Sequence, residues 1–234
     1  MRLNKHISES GVCSRREADA WIAAGRVTVN GARGELGTRV KPGDAVLVDG
    51  RPLPVRRVPV YLALNKPRGV TCTTERDVSG NIVDFVGHAE RIFPIGRLDK
   101  DSEGLILLTN DGDIVNEVLR EERGHEKEYL VTVEPDVTAT FLAMMAAGVR
   151  IGGEKTKPCR VTRAAPNQFR IVLTQGLNRQ IRRMCSALGW RVKRLVRERI
   201  MHIRLGELPN GRWRELSEAE IRPLRRLAAG RTRD

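Results

Sequence analysis

The sequence predicts an α+β protein whose larger part is a mixed, largely antiparallel sheet flanked by helices. Short runs of alternating or branched apolar residues, such as 127–133 and 169–173, are typical of strands. The amphipathic runs 141–147 and 178–188, each followed directly by glycine, are typical of helices. Many strands interleaved with a few helices over residues 60–227 indicate this fold class.

The first 48 residues are predicted to form a small separate domain. Ser14 and Glu17 have the spacing of a capping box, which places a helix from there to about residue 24, with Gly25 as its stop. The alternating segment 26–31 ends in Asn-Gly, which is typical of a strand entering a tight turn. A helix and short strands in so few residues indicate a compact module.

The rest of the chain divides into three predicted pieces. Residues 49–59 are rich in proline and poor in apolar residues, so they are expected to be a linker. Residues 60–227 form the main domain. Residues 228–234 are expected to be a basic tail at the chain end.

Composition points to a polyanionic partner. The formal net charge is +13 and the isoelectric point about 10.4, values that favour nucleic acid. No apolar run approaches the roughly 20 residues that cross a bilayer, and no secretory signal opens the chain. We therefore expect a cytoplasmic protein that does not bind a membrane. The four scattered cysteines form no metal-ligand pattern, so no metal site is predicted.

The stretch 93–112 carries the strongest signal for chemistry. Asp99 follows an Arg-Leu pair in a polar turn, and the buried-strand pattern 105–108 comes directly after it. By itself, such an aspartate can simply cap backbone amides. The alternating acids up to Gly104 also look like a calcium loop, but the twelfth position is Asn110 where such a loop needs glutamate. A carboxylate held on a rigid support is thus a candidate catalytic group.

Two further motifs supply candidate site residues. The predicted start of one helix contains three arginines, Arg179, Arg182 and Arg183. Cations at that end oppose the helix dipole, so a purely structural role is disfavoured. Contact with phosphate or pairing with a buried carboxylate explains the three residues better. Arg179 and Arg183 share one face, whereas Arg182 points elsewhere, towards an active cleft. Tyr129, in a predicted strand, is compatible with an ordinary half-exposed aromatic or with a functional one.

Four cations of the small domain form a candidate phosphate-binding surface. Arg15 and Arg16 lie in the first turn of the predicted helix, where neighbouring acids offset them or, alternatively, phosphate does. Together with Arg2 and Lys5 they are clustered, which favours phosphate contact.

Residues 1–48 resemble the small RNA-binding domain shared by ribosomal protein S4 and tyrosyl-tRNA synthetases. The resemblance rests on Arg2-Leu, Lys5, Ser14-Arg-Arg-Glu-Ala and the Asn-Gly turn. The main domain resembles the RsuA-like pseudouridine synthases. The resemblance rests on three motifs in the same order along the chain: the Arg-Leu-Asp turn, the Lys-Glu-Tyr strand and the Arg-Gln-Ile-Arg helix. Asn65-Lys-Pro-Arg-Gly69 extends this similarity.

The resemblance implies an enzyme that detaches uracil from its ribose, rotates it and rejoins it through carbon-5, without cofactor or metal. It implies that Asp99 is the catalytic carboxylate, that Arg182 forms an ion pair with it, that Tyr129 stacks on the base, and that Arg97 fills the space of the flipped nucleotide. Whether Asp99 attacks the sugar, attacks the base or promotes a glycal route is left open.

The implied substrate is a uridine in a stem-loop of large-subunit (23S) ribosomal RNA, with a transfer RNA anticodon loop as a second possibility, and the expected state is a monomer. Another class of function fits the small domain alone, namely a non-catalytic RNA-binding factor in ribosome assembly. A DNA-binding regulator is disfavoured, because no recognition helix or dimerisation heptad is visible.

Overall fold

The computed structural model describes residues 1–54, 58–75, 77–119 and 124–229. Two compact units emerge. One comprises Met1–Val60 with the short stretches Ala89–Arg91 and Asn110–Gly112, and the other comprises the remainder of the chain.

The N-terminal unit packs two helices on a small antiparallel sheet of order β2-β1-β3-β4. The predicted capping box is confirmed, since Ser14 Oγ accepts from Glu17 N and the Glu17 carboxylate accepts from Ser14 N. Leu3, Ile7 and Ile22 are buried in its core. Its elements are α1 Leu3–Glu9, α2 Arg15–Ala23, β1 Val27–Val29, β2 Ala32–Arg33, β3 Val46–Val48 and β4 Arg51–Pro52.

Two details of this unit bear on the sequence predictions. Asn30 and Gly31 have φ of 51° and 82°, the left-handed values that a two-residue hairpin turn requires, as predicted. Strand β4 lies inside the segment 49–59 that was expected to be a linker. It pairs with β3, so the small sheet continues past residue 48; residues 55–57 lie outside the described residues.

The second unit is built on a mixed sheet, in which nine strands are present among the described residues. Its order is β11-β12-β8-β13-β7-β5-β15, with β14 on β13 and β6 on β7. Every pairing is antiparallel except that of β13 with β7, which confirms the predicted sheet type. The strands are β5 Tyr61–Lys66, β6 Phe93–Pro94, β7 Glu103–Thr109, β8 Lys127–Glu134, β9 Arg150–Ile151, β10 Glu154–Lys155 (these two pair separately), β11 Arg160–Ala165, β12 Gln168–Leu173, β13 Arg191–Ile200, β14 Ile203–Arg204 and β15 Trp213–Glu215.

Helices cover this sheet over two apolar cores. One core joins Phe141 and Met184 of the helices to Val131 and Ile171 of the strands. The other joins Leu105 and Leu107 to Ile114 and Leu224, which belong to two further helices. The helices are α3 Ile82–Val86, α4 Gly112–Leu119, α5 Ala139–Ala146, α6 Gln180–Ala187 and α7 Glu218–Ala229.

Two predicted bounds need correction. Helix α6 begins at Gln180, and Arg179 precedes it as the N-cap with φ of 48°, so only Arg182 and Arg183 lie within the helix. Helix α7 continues to Ala229, so the expected tail from residue 228 is helical for its first two residues, and residues 230–234 lie outside the described residues. Within the described ranges, no helix combines the length and apolar character needed to cross a membrane.

Glu220 should make the second unit sensitive to acid. Arg214 donates to both of its carboxylate oxygens at 2.7 and 2.8 Å, and this holds the pKa of Glu220 at about 2. Because the folded-state pKa lies below the ordinary value of 4.5, the stabilisation is complete above pH 4.5 and is lost as the pH falls towards 2. We expect Glu220→Gln to lower the unfolding free energy at pH 7 by about 1–2 kcal/mol, after allowance for solvent screening of the pair.

Urea unfolding at pH 7, 4 and 2.5 measures this effect, and the difference between Glu220→Gln and the wild type should shrink with acidity. Glu218→Gln is the matched control, since Glu218 pairs with Arg225 at 2.8 Å but its side chain is 65% exposed. Equal losses in both variants at all three pH values would contradict the assignment.

Candidate active site

The turn that carries Asp99 is fixed on both sides by the sheet. Strand β7 begins four residues later and is buried along its whole length. Ser102 N donates to the main-chain oxygen of Asp99 at 3.0 Å, which closes the turn. Gly69 N donates to the Lys100 carbonyl at 2.9 Å and so ties the turn to the segment after β5. Asp99, which is half-buried, is therefore held in a rigid turn.

Asp99 lies on the wall of a cavity of about 390 Å³ within the second unit. This volume is within the range of about 300–1,000 Å³ that is typical of small-molecule sites. Tyr129, Arg97 and Arg179 line the same cavity, so the structure brings four of the predicted residues together. Its apolar part is formed by Ile95, Leu107, Leu173, Ile181, Leu195 and Ile200.

Tyr129 reaches the cavity from the middle of the sheet. It lies on β8, opposite Ile171 of β12 on one side and Arg197 of β13 on the other. It is half-buried and packs against the first apolar core. A flat aromatic ring held in this way can support a planar ligand.

Arg182 contacts the turn after Asp99 rather than Asp99 itself. Its Nη2 donates to the Asp101 carbonyl at 3.2 Å and to Ser102 Oγ at 3.4 Å, and its Nη1 donates to the Val192 carbonyl at 3.5 Å. Among the described residues, no ion pair within 4 Å joins Arg182 to Asp99, so the expected direct salt bridge is absent from this geometry. The guanidinium is held instead by the Asp101 carbonyl and the Ser102 hydroxyl of the turn and by the Val192 carbonyl of β13.

Burial and neighbouring charges shift the pKa of Arg182. Burial, followed by the nearby Arg179, lowers the pKa of Arg182, while the Asp101 and Asp99 carboxylates raise it. Arg182 Nε is buried and has no hydrogen-bond partner among the described residues. Arg182 thus acts as a clamp on the Asp99 turn.

The other two arginines of this motif are more exposed. Arg179 pairs with Asp101 at 3.6 Å and lines the cavity, and its left-handed backbone is uncommon for a residue with a side chain. Arg183 is exposed, donates to the Asn178 carbonyl at 3.5 Å, and does not line the cavity. The structure thus places Arg179 at the cavity and Arg183 away from it.

Two buried cations near the Asp99 turn were not predicted as site residues, although Lys66 belongs to the Asn65–Gly69 motif. Lys66 is fully buried, and its Nζ donates to the carbonyls of Pro67 and Val70 at 2.8 and 2.9 Å. Burial lowers the pKa of Lys66, while the charges of Cys72, Asp99 and Glu103 raise it. Arg197 is 3% exposed and lines the cavity. Lysine or arginine within a strand normally indicates a solvated face, so their charge did not indicate that either residue is buried.

The candidate RNA-binding cations of the N-terminal unit lie at its helices. Arg2 is the N-cap of α1 and is exposed. Lys5 is half-buried and pairs with Glu9 at 3.3 Å. Arg15 and Arg16 open α2 and are exposed, so they present their charges to solvent.

Comparison with known families agrees with this geometry. Residues 60–187 match the family described as RNA pseudouridylate synthase, and residues 1–46 match the S4 domain. The dual-specificity RNA pseudouridine synthase RluF of Escherichia coli K12 is 56% identical over 229 residues, which are 97% of this chain and 79% of that protein. Ribosomal large subunit pseudouridine synthase B of Bacillus subtilis is 37% identical, over 97% of this chain and 96% of that protein.

A solved structure supports the same conclusion. A crystal structure of a pseudouridylate synthase superimposes with a TM-score of 0.71 at 31% identity, covering 96% of this chain and 99% of that one. Similarity along nearly the whole chain, together with the two family matches, shows that the protein is an RNA pseudouridine synthase that belongs to the RsuA-like family with an N-terminal S4 domain.

Proposed function

We propose that this enzyme converts a specific uridine of large-subunit (23S) ribosomal RNA, in a stem-loop, to pseudouridine, and that a transfer RNA anticodon loop is its second substrate. The similarity to RluF, whose name states dual specificity, supports two RNA substrates. The observation that carries the site assignment is the presence of Asp99 and Tyr129 on one cavity of nucleotide-binding size. We assign RNA capture to residues 1–48 and chemistry to residues 60–227, and we expect the enzyme to be a cytoplasmic monomer.

The proposed reaction is an isomerisation. The product nucleotide has the same composition as the substrate, and only protons are exchanged with solvent. The bond between ribose carbon-1′ and nitrogen-1 breaks, a bond from carbon-1′ to carbon-5 forms, carbon-5 loses its proton and nitrogen-1 gains one. The Asp99 carboxylate acts at the reacting centre, as carboxylates do in enzymes that cleave glycosidic bonds. No oxidant, reductant or imported group is required by this balance.

Access to the cavity requires the uridine to leave its stack. Flipping a nucleotide costs a few kcal/mol, which protein contacts must offset. The half-buried Tyr129 ring offers a stacking surface for the extruded base. In this proposal Arg97, which is exposed two residues before Asp99, occupies the vacated position in the RNA, and Arg179 contacts phosphate.

Tritium release from [5-³H]uridine-labelled transcripts tests the substrate assignment, because carbon-5 loses its hydrogen only if the new bond forms there. We expect release from 23S ribosomal RNA and more slowly from transfer RNA, and none above background from 16S ribosomal RNA. Release only from 16S ribosomal RNA would overturn the proposed substrate. Binding without release from any transcript would favour an RNA-binding assembly factor.

Arg182 should act by positioning the Asp99 turn. We expect Arg182→Ala to lower kcat about 100-fold or more while KM changes less than about threefold, because the clamp affects the reacting group and not RNA capture. Arg182→Lys should restore only part of the rate, since an ammonium cannot reproduce the planar fork. Single-turnover and steady-state kinetics separate the two parameters.

Arg183→Ala is the control for Arg182, because Arg183 is exposed on the same helix and does not line the cavity. A KM effect without a kcat effect in Arg182→Ala would show that Arg182 serves RNA binding instead.

The exposed cations at the start of α2 should contribute to the salt dependence of RNA binding. We expect the double variant Arg15→Gln/Arg16→Gln to bind RNA more weakly and to reduce the slope of log affinity against log salt by about 1.5, as expected for two lost phosphate contacts. Filter binding at several salt concentrations measures the slope. Arg26→Gln/Asp49→Asn is a charge-neutral control in the same unit, because these two residues pair with each other. An unchanged slope in the first variant would remove α2 from the RNA surface.

A further inference from the structure

Arg197 lines the cavity and carries a buried hydrogen-bond donor that has no partner among the described residues. Its Nε donates to the Leu105 carbonyl at 2.7 Å and its Nη1 to the Arg97 carbonyl at 3.3 Å. Its Nη2 is buried and has no partner among the described residues, although the residue is only 3% exposed and lines the cavity. A buried guanidinium group that lacks one acceptor is costly, so native structures normally provide that acceptor.

We propose that Nη2 of Arg197 donates a hydrogen bond to a carbonyl oxygen of the bound uracil ring and stabilises the negative charge that collects there when the glycosidic bond breaks. This rests on the proposed function, because it deepens the chemistry of the same cavity. It adds a catalytic residue that the sequence motifs did not indicate.

The register of the sheet sets the position of this donor. Arg197 is directly opposite Tyr129 in the antiparallel pairing of β13 with β8. Residues directly opposite in such a pair project to the same face, so Arg197 and Tyr129 approach the cavity side by side. A pyrimidine stacked on the Tyr129 ring exposes its carbonyl oxygens at its edge, where an adjacent donor in the sheet can reach them.

The two satisfied donors of Arg197 hold the third in place. The Leu105 carbonyl belongs to buried strand β7, and the Arg97 carbonyl precedes Asp99 by two residues. The guanidinium is therefore fixed relative to the carboxylate before substrate binds. Donors that are oriented in advance, at a site shielded from water, are especially effective at stabilising charge that develops during reaction.

The charge arises from the bond changes already described. When the bond between carbon-1′ and nitrogen-1 breaks, its electron pair stays on the uracil ring and spreads over nitrogen-1 and the two carbonyl oxygens. That electron pair then forms the new bond between carbon-5 and carbon-1′, and the proton leaves carbon-5. The carbonyl is neutral in the bound substrate and anionic at the cleaved stage, so the interaction should affect kcat more than KM.

The experiment uses the full-length enzyme and the shortest 23S ribosomal RNA stem-loop that the wild type modifies. The RNA is synthesised with uridine, 2-thiouridine or 4-thiouridine at the target, because sulfur is a poorer hydrogen-bond acceptor than oxygen. Single-turnover rates are measured for the wild type and for Arg197→Met. We expect Arg197→Met to react about 100-fold more slowly with uridine RNA. We also expect the oxygen-to-sulfur rate ratio at one of the two positions to differ at least tenfold between the enzymes.

Arg199→Met is the matched control. Arg199 is a buried cation on the same strand, but it donates to Glu126, Glu128 and the Met201 carbonyl. Its loss should lower stability without changing either oxygen-to-sulfur ratio. Should Arg197→Met fail to fold, Arg197→Lys replaces it in the same comparison, and the wild-type ratios alone still test the contact.

The outcomes separate this inference from the proposed function. Identical ratios in wild type and the Arg197 variants at both positions, or wild-type rates unaffected by either sulfur, would overturn the contact and leave Arg197 as a support for the turn. A wild type that modifies no 23S fragment would instead refute the proposed substrate.

Discussion

Asp99→Asn should lower the rate of pseudouridine formation by roughly 10⁴- to 10⁶-fold, the size of loss that follows removal of a side chain that takes part directly in the reaction. Asparagine has nearly the same shape, but it carries no charge and cannot bond to carbon as a carboxylate does. The turn should persist, because its closing bond uses the main-chain oxygen of residue 99 and its other tie uses the Lys100 carbonyl. RNA affinity should therefore change less than about threefold.

Asp101→Asn provides the control for this result. Asp101 is an aspartate of the same turn, but its exposed side chain pairs with Arg179 at 3.6 Å, and surface pairs of this kind contribute little. We expect its tritium-release rate to stay within about threefold of the wild type. If Asp99→Asn retained a comparable rate, Asp99 would be only a turn residue and the chemistry would have to reside elsewhere.

Features encoded within a few consecutive residues were predictable from the sequence. The capping box at Ser14 and the Asn30-Gly31 turn depend on local hydrogen bonds and local backbone angles, and both are present as predicted. The buried strand after Asp99 was also foreseen, because a continuous apolar run has few other solutions. The family resemblance then supplied Asp99 and Tyr129 as neighbours, and both line the cavity.

Features that depend on pairing between distant segments were not predictable. The partners of Arg182 are main-chain and hydroxyl oxygens of residues 101 and 102, some 80 positions earlier in the chain, and no periodicity reports such a contact. Arg197 becomes a cavity residue only because β13 lies between β7 and β8. Its charge predicts a solvent-exposed position on a strand. The sequence therefore offered no reason to place Arg197 in the site.

The parallel contact between β7 and β13 depends on a single glycine. Gly104 is paired with Arg197, and a Cβ atom added at Gly104 would lie 2.4 Å from the Arg197 carbonyl oxygen and 2.7 Å from its amide nitrogen. The neighbouring atoms are backbone, so they cannot move aside without opening the pairing. Gly104 also has φ of 101°, a conformation that residues with side chains rarely adopt.

Gly104→Ala should therefore be among the most destabilising single changes in the second unit. The backbone strain costs about 1–3 kcal/mol, and forcing an extra carbon into a packed interface adds roughly as much or more. Gly189→Ala isolates the second contribution, because Gly189 has φ of 87° but no atom within 4 Å of the added carbon. We expect Gly104→Ala to lose at least about 2 kcal/mol more than Gly189→Ala in urea unfolding, and to lose activity as well because Arg197 is displaced. Equal losses would mean that the β7–β13 pairing tolerates a side chain, and that the position of Arg197 does not depend on this close approach.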